Sequence, residues 1–325
     1  MVSQTSPEQG RKVLVYIGEA LAAYGFGDEH PFGPDRMHAF WHEAGARGLE
    51  QRVIVMPPCM ASQPALLRFH SEAFLLRLQR QSERGEGYLD HGDTPAFKGV
   101  YEAAATVAGC SLDAAERLMR GEARRAFVPI AGLHHAGRER AAGFCAVNDC
   151  GILIEHLKQT HGLKRIAYVD IDAHHGDGVF YAFEDDPLVC IADIHEDGAH
   201  LYPGSGFADE TGEGEAKGSK LNLPLRPGAD DADFLRVWPL VEAHLESANP
   251  EFIIFQCGAD SIAGDPITHM RFTPATHAHA TEGLCRIADK HCDGRLIALG
   301  GGGYNRANLA AAWCAVLEKL LIESC

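Results

Sequence analysis

The sequence predicts an α/β protein with three layers, in which helices cover both faces of a mostly parallel central sheet. Seven short apolar runs alternate with helical patterns along the 325 residues, and continuous apolar runs indicate strands that are buried on both faces. Clusters rich in Asp, His, Gly or Tyr directly follow five of these runs, as expected for a site at the carboxyl ends of parallel strands. We find no internal repeat and no linker, so residues 1–325 are predicted to form one domain.

Each predicted element has a local reason. Strands are predicted where apolar runs are bounded by turn-forming residues, over 13–17, 53–56, 126–131, 166–171, 188–194, 252–257 and 296–299. Helices are predicted where apolar residues recur at helical spacing, over 36–48, 65–81, 112–120, 148–161, 231–247, 274–291 and 305–323. Thr273 before Pro274 indicates an N-cap, and Ser111 with Gly121 is expected to bracket helix 112–120. The glycine-rich stretch 204–218 is expected to be a surface loop.

Composition narrows the classes of function. The formal net charge is −16, which argues against tight binding to a nucleic-acid backbone. No apolar run approaches the roughly 18 residues of a membrane-spanning helix, and the first residues lack the basic and apolar regions of a secretory signal. The ten cysteines form no Cys-x-x-Cys pair. We therefore expect a cytoplasmic protein with neither a nucleic-acid nor a membrane partner, and leave its oligomeric state open.

The segment 170–178, Asp-Ile-Asp-Ala-His-His-Gly-Asp-Gly, is the most informative stretch of the chain. Side chains alternate along an extended strand, so Asp170, Asp172 and His174 fall on one face at its carboxyl end. Two carboxylates and an imidazole at one strand end predict a metal site. A turn would require neither this alternation nor a second histidine.

Polar clusters follow four other predicted strands. They are His134-His135, 193–197, 258–266 and 300–304. Because the carboxyl ends of parallel strands meet at one edge of a sheet, these clusters and segment 170–178 are predicted to form one composite site.

Together these segments resemble the signature blocks of the histone deacetylase superfamily. The matching blocks, in their order and approximate spacing, are 132–136, 143–149, 170–178, 258–260, 263–266 and 300–305, with further similarity at 202–206, at 30–32 and at Arg36. The bacterial members, including acetoin-utilisation proteins and acetylpolyamine amidohydrolases, are most similar in length and motif style. The resemblance implies an arginase/deacetylase-like fold and hydrolysis of the amide of acetyl-lysine or of another acylated amine.

The resemblance implies one Zn²⁺ per chain, bound by Asp172, His174 and Asp265. Elementary chemistry agrees, because catalytic zinc takes three protein ligands and keeps one position open. Such an ion polarises an amide carbonyl and acidifies a water molecule. The same ligands do not exclude iron.

The resemblance also assigns acid–base roles. It pairs His134 with Asp170 and His135 with Asp177, and each histidine needs such an acceptor to fix its tautomer. His135 is expected to act as general base and then as acid to the leaving amine. Tyr304 is expected to donate a hydrogen bond to the developing oxyanion.

Substrate recognition is predicted from five positions. Gly143, Phe144 and Tyr202 resemble the part of the family that walls an acyl-lysine tunnel, and an aromatic slot suits a methylene chain. Asp93 resembles a rim carboxylate that grips substrate amides. Phe272 occupies the position where polyamine-selective relatives carry Glu, so it is expected to make an apolar gate.

A monovalent cation, K⁺, is implied as a structural ion near Asp170, Asp172, His174, Asp193 and Ile194. Asp193 departs from the pattern, because several relatives have Ser at this position. A carboxylate there could tighten cation binding or rearrange the site.

Three alternatives remain open: an acetylpolyamine amidohydrolase, a binuclear manganese ureohydrolase, and a catalytically weak acyl-lysine-binding protein. Asp260 and Asp265 are five positions apart, which does not match the Asp-x-Asp pattern of a two-ion site. Tyr304 and the paired histidines count against a silent binding protein. His277 and His279, inside a predicted helix, are expected on the surface.

Overall fold

Eight parallel strands form one sheet in the computed structural model, which describes residues 13–27 and 30–322. The strands are β1 (Val13–Tyr16), β2 (Ile54–Met56), β3 (Arg125–Val128), β4 (Ile166–Asp170), β5 (Val189–Glu196), β6 (Lys220–Leu225), β7 (Phe252–Gln256) and β8 (Leu296–Leu299). Their order across the sheet is β2-β1-β3-β8-β7-β4-β5-β6, and every pair is parallel. The seven predicted strands are present.

The helices cover both faces of this sheet. They are α1 (Glu19–Ala22), α2 (Arg36–Ala46), α3 (Gln63–Leu66), α4 (Glu72–Arg84), α5 (Val100–Met119), α6 (Asp149–His161), α7 (Asp177–Phe180), α8 (Asp231–Ala248), α9 (Pro274–His291) and α10 (Arg306–Leu320). Helix α5 packs with α4 and α6, whereas α10 packs with α2 and α9, and both α5 and α10 contact β3. The three-layer prediction is therefore confirmed. Within the part of the chain described, no helix has the length and apolar character needed to cross a membrane.

Strand β6 was not predicted, because its sequence lacks the continuous apolar run of the other strands. Lys220 and Asn222 are its buried polar residues, and Pro224 removes a backbone donor. A strand of this kind is tolerated at the edge of a sheet, which is where β6 lies.

Three helix predictions need correction. Helix α5 begins at Val100, so Ser111 is an internal residue whose Oγ donates to Asp149 Oδ2 at 2.9 Å rather than a cap. Residues 103–112 of α5 are all buried and most of them are small, so this part of the helix shows no alternation of buried and exposed positions. The predicted helix 65–81 is two helices, the second of which is capped by Ser71. The predicted helix 305–323 ends at Leu320, and residue 323 lies outside the described residues.

The surface prediction is wrong for one histidine of α9 and right for the other. His277 is fully buried, and its Nε2 donates to the carbonyl of Gly258 at 2.9 Å. His279 is exposed. Helix α9 does begin as predicted, with Thr273 accepting from Ala275 N and Pro274 in the first turn. The error arose because α9 packs against β7 and β8 as well as α8 and α10, which leaves it only a narrow solvent-facing side.

Candidate active site

The candidate site lies at the carboxyl ends of four strands that are neighbours in the centre of the sheet. The loops after β3, β4, β7 and β8 carry the paired histidines, segment 170–178, segment 258–266 and Tyr304, respectively. The sheet order therefore brings together residues that are up to 170 positions apart, since 304 − 134 = 170.

Asp172, His174 and Asp260 form a buried cluster whose potential ligand atoms lie within 4.8 Å of one another. His174 Nδ1 is 3.1 Å from Asp172 Oδ1 and 3.0 Å from Asp260 Oδ2. Burial alone would lower the pKa of His174, but the hydrogen bonds to the two carboxylates raise it to about 10. The cluster therefore carries an excess of negative charge that favours a cation.

Asp265, the third metal ligand implied by the resemblance, is not part of this close group. Its Oδ2 accepts from Tyr304 N at 2.9 Å and its Oδ1 accepts from Ile267 N at 3.1 Å. Asp260, and not Asp265, lies against Asp172 and His174, and its Oδ1 accepts from Ala173 N at 2.8 Å. Sequence reasoning placed Asp260 in the composite site with segment 258–266 but assigned it no contact with His174. Its position directly after β7 was the signal for that placement.

Gln256, the last residue of β7, is another residue that the sequence analysis missed. Its side chain is fully buried, and Nε2 donates to Asp172 Oδ2 at 2.9 Å. Its Oε1 accepts from Gly258 N at 2.7 Å. A Cβ at Gly258 would lie only 1.9 Å from Asp172 Oδ2. Gln256 and the bare backbone of Gly258 together fix the Asp172 carboxylate.

The two adjacent histidines each contact their own carboxylate. Nδ1 of His134 donates to Asp170 Oδ2 at 2.8 Å, and Nδ1 of His135 donates to Asp177 Oδ1 at 2.7 Å. The two Nε2 atoms are 3.1 Å apart. Burial, followed by the nearby His134, lowers the pKa of His135 to about 4, so His135 is neutral at pH 7. A neutral ring with a protonated Nδ1 has a free lone pair on Nε2.

The loop that carries these histidines is held from the start of α6. The buried Asp149 accepts from Gly132 N at 3.0 Å and from Leu133 N at 2.7 Å. Asn148, the N-cap of α6, donates through Nδ2 to the carbonyl of Ala136 at 2.8 Å. Both residues belong to the family block 143–149, and the sequence alone assigned them no role in the site. They fix the backbone on both sides of the histidine pair.

Gly143 and Phe144 both have left-handed backbones. Gly143 has φ of 54°, and a Cβ there would lie 2.5 Å from His135 Cδ2. Phe144 has φ of 67°, its N donates to Thr94 Oγ1 at 3.0 Å and its carbonyl accepts from Tyr24 OH at 2.7 Å. These contacts hold Phe144 in a conformation that costs a non-glycine residue energy.

Tyr304 lies beside Phe144, with their ring centroids 5.8 Å apart in an edge-to-face arrangement. Burial, followed by the charges of Asp260 and Asp172, raises the pKa of Tyr304, so its phenol keeps a proton to donate. The fully buried Arg36 donates to the carbonyl of Gly303 at 2.9 Å and thereby holds the glycine run before Tyr304.

A cavity of about 430 Å³, here called the entrance cavity, adjoins the site. Asp93, Gly143 and Tyr202 line it together with two cations, Arg77 and Arg140, and a second carboxylate, Asp90. The Tyr202 ring is 46% exposed, and its centroid is 5.1 Å from that of His135. Three of the five predicted substrate-binding residues therefore border one cavity that adjoins His135.

Phe272 requires a correction. Its side chain is fully buried and packs edge-to-face on Phe234 of α8, with centroids 5.3 Å apart. It does not line the entrance cavity. This placement disagrees with a substrate-binding gate, because the side chain belongs to the core between α8 and the loop after β7.

The proposed monovalent-cation residues lie behind the histidine pair. Asp193 accepts from His195 Nδ1 at 2.6 Å and from Gly176 N at 2.9 Å, and Ile194 follows it in β5. Burial, followed by the charges of Asp193 and Asp172, raises the pKa of Asp170. The departure at Asp193 therefore adds a carboxylate to a region that is already crowded with negative charge.

The fold and the site together define a class: three-layer α/β proteins with an Asp/His centre at the carboxyl edge of a parallel sheet. Comparison with known proteins gives the family. The model of the histone deacetylase domain matches residues 30–320.

Two curated relatives and one solved structure agree with this match. The acetoin utilization protein AcuC of Bacillus subtilis is 35% identical over 301 residues, which cover 90% of this chain and 77% of the relative. Histone deacetylase clr6 of Schizosaccharomyces pombe is 33% identical over 312 residues, covering 93% and 75%. The crystal structure of the HDA15 HD domain superposes with a TM-score of 0.88 at 28% identity, covering 95% of this chain and 89% of that one. The chain belongs to the histone deacetylase family, as its motifs predicted.

Proposed function

We propose that the protein is a zinc-dependent deacylase that hydrolyses the amide of acetyl-lysine or of a similar acylated amine. The observation that carries this proposal is the convergence of the two histidine Nε2 atoms, 3.1 Å apart, in the same buried site as Asp172 and His174. Membership of the histone deacetylase family supports the same class of reaction.

The chemistry of the donor set fits a divalent ion. Asp172, His174 and Asp265 would hold it. Asp260, whose Oδ2 is 3.0 Å from His174 Nδ1 and whose Oδ1 accepts from Ala173 N, would fix the position of His174. Without a bound ion, the positive charges near these carboxylates are those of Arg36 and of a proton on His174, whose pKa is raised to about 10. When bound, zinc polarises the amide carbonyl and acidifies a water molecule.

The paired histidines supply the proton transfers. Nε2 of His135 takes a proton from the attacking water and later gives it to the leaving amine. Asp177, hydrogen-bonded to Nδ1 at 2.7 Å, stabilises the imidazolium that forms in between. His134 and Asp170 form a second pair of the same kind, which supports the positioning of the water.

Tyr304 stabilises the oxyanion. Its pKa lies well above the usual value because of burial and the nearby carboxylates, so the phenol donates without being ionised. A positioned donor of this kind lowers the energy of the tetrahedral intermediate more than that of the amide.

A potassium ion is proposed as a structural partner of this centre. It would be held near Asp170, Asp172, His174, Asp193 and Ile194. The raised pKa of Asp170, caused first by burial and then by Asp193 and Asp172, supports a cation at this position. Asp193 would contribute charge where a hydroxyl would contribute only a dipole.

Acetyl-lysine substrates are proposed to be preferred over acetylpolyamines. Phe272 cannot supply the reason, because its side chain is in the core and not at a gate. Charge does not supply it either, because the cavity lining carries Asp90 and Asp93 beside Arg77 and Arg140. The support is that Asp93 can accept hydrogen bonds from the backbone amides of a peptide, which a polyamine lacks.

The test is a parallel measurement of kcat/KM for a fluorogenic acetyl-lysine peptide, acetylputrescine and acetylspermidine at one ionic strength, with elemental analysis of the same preparation. We expect one divalent ion in the active site and a preference for the peptide. A tenfold preference for a polyamine, about 1.4 kcal/mol of transition-state binding, would overturn the substrate assignment. Turnover without any divalent ion would overturn the mechanism.

A further inference from the structure

A second group of metal-ligating side chains lies on the helices α5 and α6, away from the candidate active site. Glu116 of α5 and His156 and His161 of α6 have ligand atoms within 4.8 Å of one another. Helix α6 begins at the carboxyl edge of the sheet and ends just before β4, so this group lies toward the amino edge. At 1.5 Å per residue, His161 is roughly 18 Å along the helix from Asp149.

The three side chains converge on one point. Both Nε2 atoms face the same oxygen, Glu116 Oε1, at 2.6 Å for His156 and at 2.8 Å for His161. The two rings are inclined by 72° with centroids 5.5 Å apart, so the two Nε2 atoms approach Glu116 Oε1 from different directions. We propose that Glu116, His156 and His161 form a second site for a divalent transition-metal ion, of which zinc is the expected occupant.

The donor types select the metal. Two imidazoles and one carboxylate are a recurring zinc set, whereas Mg²⁺ and Ca²⁺ prefer oxygen ligands alone. Zinc–nitrogen and zinc–oxygen bonds of about 2.0–2.2 Å would require Glu116 Oε1 to withdraw by about an ångström. Its side chain is 30% exposed and can make this movement, and solvent can reach the ion from the same side.

The proton on His156 must move when the ion binds. Nδ1 of His156 contacts Arg68 Nη1, so Nε2 carries the ring proton and donates it to Glu116. Zinc at Nε2 would place the proton on Nδ1, and Arg68 would then turn away. Thr160 Oγ1, 3.4 Å from Nδ1, would then accept the proton that Nδ1 carries. Arg120, with Nη1 3.8 Å from Glu116 Oε2, also opposes the ion. The second site is therefore weaker than the active-site cluster.

The experiment is a zinc titration of the enzyme already loaded with its active-site ion, read by calorimetry and by elemental analysis at low micromolar free zinc. Wild type should take up one further equivalent and show a zinc-dependent rise in Tm. His161→Gln and Glu116→Gln should each lose both responses and keep the turnover of the wild type. His291→Gln is the matched control, because it removes a histidine that pairs with a single carboxylate, Glu246, at 2.7 Å.

Uptake of the extra equivalent by His161→Gln and Glu116→Gln as in wild type would overturn the proposal, as would the absence of uptake by wild type. Circular dichroism of the metal-free variants separates a lost site from a misfolded chain. If both variants bind no extra zinc but remain folded and active, the site is assigned independently of the catalytic reaction.

Discussion

The protein contains two histidine–carboxylate clusters built from the same donor groups, one at each edge of the sheet, and they differ in what surrounds them. The inner cluster consists of Asp172, His174 and Asp260, which are all at most 7% exposed. Its two carboxylates raise the pKa of its single histidine to about 10. In the outer cluster of Glu116, His156 and His161, one carboxylate serves two rings. Burial lowers the pKa of His156, and Arg68 adds to the effect.

The difference shows that donor type alone does not define a catalytic centre. In the inner cluster the backbone of Ala173 and Gly302 and the amide of Gln256 hold the carboxylates from behind. In the outer cluster the groups behind the ligands are the cations of Arg68 and Arg120. The inner cluster could accept an ion with its carboxylates already held in place, whereas the outer cluster would have to rearrange to accept one.

The largest expected effect is the loss of the inner ion. Loss of a residue that hydrogen-bonds to a metal ligand lowers metal affinity by roughly 10–100-fold. Asp172→Asn removes a ligand itself, so it should lower the affinity for the active-site ion by more than this and should abolish turnover. Glu116→Gln is the control and should retain the active-site ion and its turnover. Elemental analysis and an acetyl-lysine assay measure both. Wild-type ion content in Asp172→Asn would refute the role of the inner cluster.

The third ligand can be assigned by comparing two neighbouring carboxylates. Asp265→Asn should remove the ion, whereas Asp260→Asn should keep it with an affinity about 10–100-fold lower, as for a residue that orients a ligand. The metal dissociation constants, measured by competition with a chelator, decide between them. The opposite ranking would make Asp260 the ligand, in agreement with its closer approach to His174.

The histidine pair comes next in size. His135→Ala should lower kcat by about 10²–10⁴, the range for a lost general base, while the ion remains bound. His161→Ala provides the comparison, since the same substitution in the outer cluster should leave kcat unchanged. A His135→Ala enzyme with wild-type kcat would show that another group accepts the proton.

Tyr304→Phe should lower kcat by about 10²–10³ without changing the ion content, because a single oxyanion donor is lost. Tyr181→Phe is the matched control. Its hydroxyl donates to Glu210 Oε2 at 2.7 Å, outside the active site. Equal kcat values for the two variants would remove Tyr304 from the mechanism.

The smallest effect is expected for the stability of the metal-free protein. His161→Gln removes one partly exposed hydrogen bond with Glu116 and should change the free energy of unfolding by no more than about 1 kcal/mol. Thermal unfolding in the presence of a chelator checks this value. A much larger loss would mean that the outer cluster is a structural clamp between α5 and α6 even without metal.

Sequence reasoning was most successful where one segment carries both a strand and the polar residues that follow it. Segment 170–178 and the pair His134-His135 could be placed at the sheet edge from their own alternation and position. Their carboxylate partners, Asp170 and Asp177, came from the family resemblance. The parallel sheet then determined that these segments meet.

The failures involve contacts between distant segments. Whether Phe272 faces the cavity or Phe234 depends on the packing of α8, more than thirty residues earlier in the chain. Asp260 lies at the sheet edge, as the position of segment 258–266 predicted, but its contact with His174 depends on how the loops after β4 and β7 meet. The start of α5 was missed because residues 103–112 are all buried and show no alternation of buried and exposed positions.

Gly143 has a consequence for how far this site can vary. A Cβ at this position would lie 2.5 Å from His135 Cδ2, and the backbone has φ of 54°. The side chain of every other amino acid would press on the ring of His135, the residue proposed to transfer the proton, whatever its polarity or charge. A saturation library at position 143, selected for turnover, should therefore return glycine alone, and substrate scope would have to be engineered at Arg77, Arg140 or Tyr202 instead.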